Sequence, residues 1–153
     1  MPKKQVKLGY SPEIGMAKSE LFKQAFKRVD RAISLGFHLE AITIIESLIC
    51  DRIETIISIY GNTEVSPSTL GPLIKSLTQL EFVEQDLIIE LNDWRQRRNL
   101  VLRQMVKITH SESINWRERM IFARETAVEG RELLKLVQLL LRRVKKGIQN
   151  PSI

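Results

Sequence analysis

The sequence predicts an all-α protein, an antiparallel up-and-down bundle of four to five helices. Apolar residues recur at steps of three and four along four long segments and one short one, and no series of strand-like segments is present. The connections are only a few residues long, so consecutive helices should run in opposite directions. With 153 residues, 43% of them hydrophobic and 27% charged, the chain fits one globular domain.

The first two helices follow a short N-terminal arm. Residues 1–12 are basic and poor in apolar side chains, whereas residues 13–148 are assigned to the single bundle domain. The first helix is predicted from Glu13 to Leu35, where Gly36 can end it. The second, from Phe37 to Tyr60, is the most hydrophobic segment. We therefore expect it at the centre of the core.

Two side chains of the second helix are of types that often carry chemistry. Cys50 lies within the apolar run ITIIESLIC and is interpreted as a buried structural thiol, since a single cysteine excludes an internal disulfide. His38, at the start of the helix, is expected to be a surface or capping residue and not a catalyst. With one cysteine and two histidines we expect no metal site, and no cofactor motif is present.

The middle of the chain predicts a short helix and then a long one. The turn segment EVSPSTLGP precedes a short apolar helix around residues 73–77. A long helix is then predicted from near Val83 to about Ile108. The polar segment THSES, residues 109–113, breaks the pattern and offers capping residues for the next helix.

The last helix is predicted to start near Ile114. Gly130 lies in its middle, where it either allows close approach of another helix or weakens this one by about 1 kcal/mol. After Leu141 the basic cluster RRVKKG is expected to fray, and residues 149–153 are assigned to a flexible tail.

The long fourth helix carries cations inside its apolar pattern. Its core-type stripe contains Leu87, Leu91, Trp94, Arg98, Val101, Met105 and Ile108. A neighbouring row contains Arg95, Asn99, Arg103 and Lys107. We expect Trp94 to be a core residue. We expect the second and fourth helices to lie against each other in the core. A cation at the core position of Arg98 needs a partner, which Glu46 or Glu54 can then supply.

Positive charge is concentrated in and after this helix. The segment from Trp94 to Arg119 has a net charge of +5, against +6 for the whole chain, which favours an anionic partner. Trp116, Arg117 and Arg119 either extend this basic surface or form a solvated face. No apolar run approaches the roughly twenty residues needed to span a bilayer, so we expect a cytoplasmic protein without membrane attachment.

The segment WRQRRNLVLRQMVK resembles the motif of the HEPN superfamily, whose name abbreviates higher eukaryotes and prokaryotes nucleotide-binding. The family pattern is an Arg, a polar residue that is often Asn, three variable residues and a His, frequently introduced by Trp-Arg and followed by Lys. The residues in register are Trp94, Arg95, Arg98, Asn99 and Lys107. The segments AITIIESLICDRIETIISIYG and LGPLIKSL are also similar, so the resemblance covers most of residues 20–145.

The chain departs from the family at one position, because Arg103 stands where the motif has His. The resemblance implies metal-independent ribonucleases in which Arg and His of two subunits meet at a homodimer interface. There a ribose 2′-hydroxyl attacks the adjacent phosphate, His moves protons and Arg stabilises phosphoryl charge. A guanidinium is always charged and has no acceptor, so it cannot replace His in proton transfer. The departure predicts phosphate binding without acid–base catalysis.

Three hypotheses follow. In the first, the protein is a catalytically degenerate HEPN-like homodimer that binds RNA or a nucleotide, with a toxin–antitoxin or defence role and a protein partner such as an antitoxin. Its expected contacts are Arg95, Arg98, Asn99, Arg103 and Lys107. In the second, a looser spacing that the family allows makes Arg103 and His110 the catalytic pair of a ribonuclease, with Arg98 assisting. In the third, Arg98 is structural and the chain is a dimerising or protein-binding bundle.

Overall fold

The computed structural model of the protein describes residues 12–61, 68–106 and 115–149, and every element in these ranges is an α-helix. The helices are α1 (Pro12–Ser34), α2 (His38–Gly61), α3 (Leu70–Thr78), α4 (Gln85–Val106) and α5 (Trp116–Gln149). The predicted all-α bundle is confirmed. No helix in these ranges is long and apolar enough to cross a bilayer. Nearly all of the predicted N-terminal arm and the THSES segment lie outside the described residues.

The turn between α1 and α2 forms where the sequence predicts it. Gly36 has a φ of +83°, a conformation that L side chains rarely adopt. The N–H of Phe37 donates to the carbonyl of Ala32 at 2.8 Å, and the N–H of Gly36 donates to the carbonyl of Ile33 at 3.2 Å. These bonds satisfy carbonyl groups that the end of α1 would otherwise leave without partners. The prediction that Gly36 ends the first helix is confirmed.

The C-terminal part of α5 differs from the prediction. We expected the chain to fray after Leu141, but α5 continues through the RRVKKG cluster to Gln149. Val144, in the middle of that cluster, packs against the core, while Arg142 and Arg143 are exposed. Cations near a helix C-terminus also interact favourably with the helix dipole. The helix therefore extends about two turns further than the charge of the cluster suggested.

The central pair of helices is α2 and α5, which make the most extensive contact in the bundle. On this pair, α1 packs mainly against α2 and α4 packs mainly against α5, while α3 bridges α2 and α4. The contacts Phe22–Arg52 and Arg28–Glu40 show that α1 runs antiparallel to α2. The contacts Glu84–Arg143 and Trp94–Thr126 show the same for α4 and α5. The predicted alternation of helix directions therefore holds for these neighbours.

The prediction that α2 and α4 lie directly against each other is wrong. Within the described residues their backbones share no extensive contact, because each of them packs on α5 instead. The core face of α5 includes the fully buried alanines Ala123 and Ala127, and small side chains let neighbouring helices approach closely. α2 and α4 are joined instead through α3 and through long side chains.

Candidate anion-binding site

Arg98 occupies the core-facing stripe of α4, as the sequence predicts. Its neighbours on that stripe, Trp94 and Val101, are buried, and the Arg98 side chain is 27% exposed. Its Nη2 forms an ion pair with Glu46 of α2, and its Nη1 donates to Oδ1 of Asn99 at 2.7 Å. Glu46 is one of the two acids that the sequence identified as possible partners. Arg98 therefore links α4 to α2 across a gap that their backbones do not close.

The Arg98–Glu46 pair is well shielded, since the Glu46 side chain is only 18% exposed. Removing one member of a fully buried pair costs roughly 3–5 kcal/mol because the other charge stays buried, and we expect somewhat less at this partial exposure. The Nε of Arg98 is buried and has no hydrogen-bond partner in the part of the chain that the structure describes. A ligand would therefore have to compete with Glu46 for most of this guanidinium.

Cys50 lies near the same pair. Burial, followed by the charges of Glu46 and Glu54, raises the pKa of its thiol to about 11, while Arg98 acts in the opposite direction. The side chain is half-buried and not fully buried as we expected. At neutral pH the thiol stays protonated and is a poor nucleophile, in agreement with a structural role.

Arg95, which the sequence suggested as an anion contact, lies against α3. A Cβ built on Gly71 would lie 3.3 Å from Nη1 of Arg95, so the missing side chain at Gly71 makes room for the guanidinium. The Nε of Arg95 is buried, and no described residue forms a hydrogen bond with it. The partly buried side chain thus packs between α4 and α3, and a ligand can reach it only at the edge of this contact.

Trp94 is a core residue, as expected, with 3% of its surface exposed. Its Nε1 donates to the backbone carbonyl of Thr126 in α5 at 2.9 Å. A Cβ on Gly130 would lie 2.6 Å from the indole ring, well inside van der Waals contact. Of the two explanations for Gly130, close approach is therefore the one that the structure shows. Trp94 cannot stack on a nucleotide base from this position.

Arg103 and the first turn of α5 come together at one end of the bundle. Arg119 donates through Nη1 to the carbonyl of Gln104, one residue after Arg103, and so joins the start of α5 to the end of α4. Arg103 and Arg117 are both exposed, and within the described residues neither has an ion-pair or hydrogen-bond partner. Arg124, also exposed, lies two turns further along α5. We call Arg103, Arg117, Arg119 and Arg124 the basic end.

His38 is also at this end and was placed wrongly from the sequence. It is 8% exposed, so it is buried and not a surface residue, and its Nδ1 has no hydrogen-bond partner among the described residues. Burial, and secondarily the charge of Arg124, lowers the pKa of its imidazole. The signal was present in the sequence, because His38 precedes Ile42 and Ile45 at the helical spacing of the buried stripe.

Arg52 is a second buried cation that the sequence analysis missed. It is 5% exposed, its guanidinium lies 4.4 Å from the centre of the Phe22 ring, and its Nε is 3.6 Å from Oδ2 of Asp51. Burial lowers its pKa, but an arginine remains charged. Its spacing from Ile45, Ile49 and Ile56 places it on the buried stripe of α2. Arg52 therefore serves packing between α1 and α2.

Lys107 and His110 lie outside the described residues, and so does the pairing of Arg103 with His110 that a ribonuclease would require. In the part of the chain that is described, no three His, Cys, Asp or Glu side chains are grouped so that they could hold a metal ion. No protein-family model matches the chain, and no curated protein or solved structure matches it either.

Proposed function

We propose that the protein is a HEPN-like helical bundle that binds RNA at its basic end without cleaving it. The observation that supports this proposal best is the bond from Arg119 to the carbonyl of Gln104. It holds the two cationic segments of the sequence side by side, with Arg103 and Arg117 directed to solvent. The exposed guanidinium groups of Arg103 and Arg117 suit the phosphates of a nucleic acid backbone.

The arginines of the motif differ in how easily a phosphate can reach them. Arg103 is exposed and has no ion-pair partner in the described part of the chain, whereas at Arg98 a phosphate must compete with Glu46. Asn99 is exposed and adjacent, although its side-chain oxygen accepts a bond from Arg98. We therefore expect Arg103 and Arg117 to be the main contacts and Arg98 with Asn99 to contribute less.

A homodimer is the second part of the proposal. Large apolar side chains are exposed on the outer faces of α4 and α5. These side chains belong to Ile89, Leu100, Ile121, Val128, Leu136 and Leu139. Such a surface is typical of an interface with another protein. A second copy on this face would place two basic ends on one assembly, whereas an antitoxin-like partner would be the alternative occupant. Sedimentation equilibrium distinguishes a dimer from a monomer.

The salt dependence of RNA binding tests the main proposal. Fluorescence anisotropy with a labelled single-stranded RNA of mixed sequence gives the slope of log affinity against log salt, which is about 0.7 per neutralised phosphate. Arg103→Gln and Arg117→Gln should each weaken binding and each reduce that slope by about 0.7. Lys23→Gln is the charge-matched control, because Lys23 is exposed on α1, which makes no extensive contact with α4.

Two results would change the conclusion. Absence of binding at low salt would exclude RNA as the ligand. Cleavage of the RNA to cyclic-phosphate ends, lost in His110→Ala, would favour the ribonuclease hypothesis in which Arg103 and His110 act together. Both measurements use the same RNA and the same protein preparations, so binding and cleavage can be compared directly.

A second candidate function, a protein-interaction bundle without a nucleic acid role, is favoured by the Arg98–Glu46 pair, which gives Arg98 a partner without any ligand. The Glu46→Gln variant distinguishes the protein-interaction function from RNA binding. If Arg98 contributes to RNA binding, releasing it from Glu46 should tighten binding. If Arg98 is only structural, the variant should lose stability while the affinity for RNA stays the same.

A further inference from the structure

A cleft of about 420 Å³ lies at the other end of the bundle from Arg103. It is formed where the C-terminal part of α5 passes the end of α2 and the segment before α4, and it is lined by Tyr60, Phe82, Leu140, Arg143, Val144 and Gly147. This volume is within the roughly 300–1,000 Å³ of small-molecule sites in proteins. The size of the cleft therefore allows a small organic ligand.

Aromatic and aliphatic side chains form most of the cleft. Tyr60 and Phe82 have ring centroids 4.7 Å apart at 45°, and they are 58% and 38% exposed, so ring surface faces the open space. Leu140 is 1% exposed and belongs to the core. An aromatic pair prefers to add further rings in stacked or tilted geometry. This wall therefore favours a planar aromatic group over a flexible polar one.

Arg143 is the charged residue among those that line the cleft. Its side chain is 61% exposed, and its ion-pair partner, Glu84, is 71% exposed and 3.7 Å away. Exposed pairs of this kind contribute little free energy, so the guanidinium can change partner at small cost. Arginine binds carboxylate, sulfonate and phosphate groups with two parallel donors. The charge at the cleft thus favours a ligand with an anionic group.

We propose that this cleft binds a small planar aromatic anion, with its ring against Tyr60 and Phe82 and its anionic group on Arg143. The glycine at position 147 leaves the space open, since a Cβ built there would have no atom within 4 Å. The RRVKKG cluster, which includes Arg143 and Gly147, then has a function that RNA binding at the basic end does not explain.

The cleft is independent of the basic end. Glu84 lies beside the cleft and immediately precedes α4, and Arg103 is 19 residues further along the chain. At a rise of 1.5 Å per residue, the two positions are about 28 Å apart along the helix axis. Failure of RNA binding would therefore leave this inference intact, and failure of the inference would leave RNA binding intact.

The fluorescent dye 1-anilinonaphthalene-8-sulfonate, an aromatic sulfonate, serves as the probe. We expect one dye molecule to bind per folded chain, with increased emission. Gly147→Leu should weaken that binding at least tenfold, because the new side chain fills the cleft without meeting another atom at its Cβ. The same change replaces glycine within a helix, so thermal unfolding should show a fold at least as stable as the wild type.

The second arm tests the charge. Arg143→Gln should weaken binding of the sulfonate about tenfold but leave binding of N-phenyl-1-naphthylamine, a neutral analogue, unchanged. Glu125→Gln, at an exposed position of α5 that is 18 residues before Arg143, is the control and should bind the dye like the wild type. No dye binding, or full binding in Gly147→Leu, would overturn the proposal. Equal loss of the anionic and neutral dyes in Arg143→Gln would overturn the role of Arg143.

Discussion

The contact between Gly130 and Trp94 makes a sharp prediction about stability. An added Cβ at position 130 would lie 2.6 Å from both Nε1 and Cε2 of the indole, about 1 Å closer than ordinary contact. The ring has little freedom to move, since it is 3% exposed and its Nε1 is bonded to the carbonyl of Thr126. Gly130→Ala should therefore force the helices apart or displace the indole.

Two opposing effects determine the size of the change. Alanine is a better helix former than glycine by about 1 kcal/mol. Overpacking of a core typically costs about 1–3 kcal/mol, and weakening the bond from the indole to Thr126 adds up to about 1 kcal/mol. Since the added methyl group meets a ring held in place, the unfavourable effects should be larger, and the free energy of unfolding should fall by about 2 kcal/mol. For a chain of this length that lowers Tm by about 4–8 °C.

Differential scanning calorimetry and urea unfolding measure this change. Gly147→Ala is the matched control, because it is the same substitution in the same helix and its Cβ would have no atom within 4 Å. It should leave Tm unchanged or raise it by a few degrees, given that Gly147 is near the end of α5. Gly130→Ala should thus lower Tm, whereas Gly147→Ala should not.

The proposed cause can be tested separately from the size of the effect. If Gly130→Ala is destabilising because it clashes with the indole, the same change should cost less in a Trp94→Phe background, where the ring is smaller. The coupling between the two substitutions should be about 1 kcal/mol or more. A Gly130→Ala variant as stable as the wild type would refute the reasoning, and so would equal costs in both backgrounds.

Two further predictions follow from the protonation of buried groups. Because the pKa of Cys50 is raised from 9.0 to about 11, its alkylation by iodoacetamide at pH 7.5 should be about a hundredfold slower in the folded chain than in urea. Glu46→Gln should accelerate it, since the Glu46 carboxylate raises that pKa. Because the pKa of His38 is lowered from 6.5, the unfolded chain binds more protons below that pH, so the free energy of unfolding should fall as the pH drops through 6.5. His38→Gln should remove this component, measured by urea unfolding at pH 7.5 and pH 5.

Each of these two predictions has a control and a contradicting result. Glu40→Gln removes an exposed carboxylate that pairs with Arg28, and it should leave the alkylation rate of Cys50 unchanged. Equal rates in the folded and unfolded chain would contradict the raised pKa of the thiol. For His38, parallel pH profiles of the wild type and the His38→Gln variant would show that the imidazole keeps its ordinary pKa in the folded state.

Helical periodicity predicted the elements well and their packing less well. The five helices and the turn at Gly36 follow from local spacing and backbone preference, which act over a few residues. Which helices form the central pair depends on how whole faces fit together. The apolar stripe of α2 does not indicate whether α4 or α5 will cover it, and the small side chains of Ala127 and Gly130 matter only once α5 is in place.

In the candidate site, too, local spacing predicts some features, and others depend on how the helices pack. Arg98 was recognisable because a cation interrupted an apolar stripe, and its acid partner followed from that position. His38 and Arg52 lie on the stripe of α2 in the same way, so the same spacing places both of them in the core. The bond from Arg119 to Gln104 joins residues on either side of a break in the helical pattern. No local rule predicts the distance between them.

The directions in which the arginines of α4 point determine which of them a ligand can reach. Since each residue turns the helix by about 100°, Arg95 points toward α3, Arg97 toward Glu129 of α5 and Arg98 toward Glu46 of α2, so all three are engaged within the fold. Arg103 is about 140° around the helix from Arg98 and points to solvent. The position at which this chain departs from the motif is therefore free to vary without cost to the fold. Arg98 and Arg103 therefore leave α4 in different directions, and Arg103 is the more accessible of the two to a phosphate.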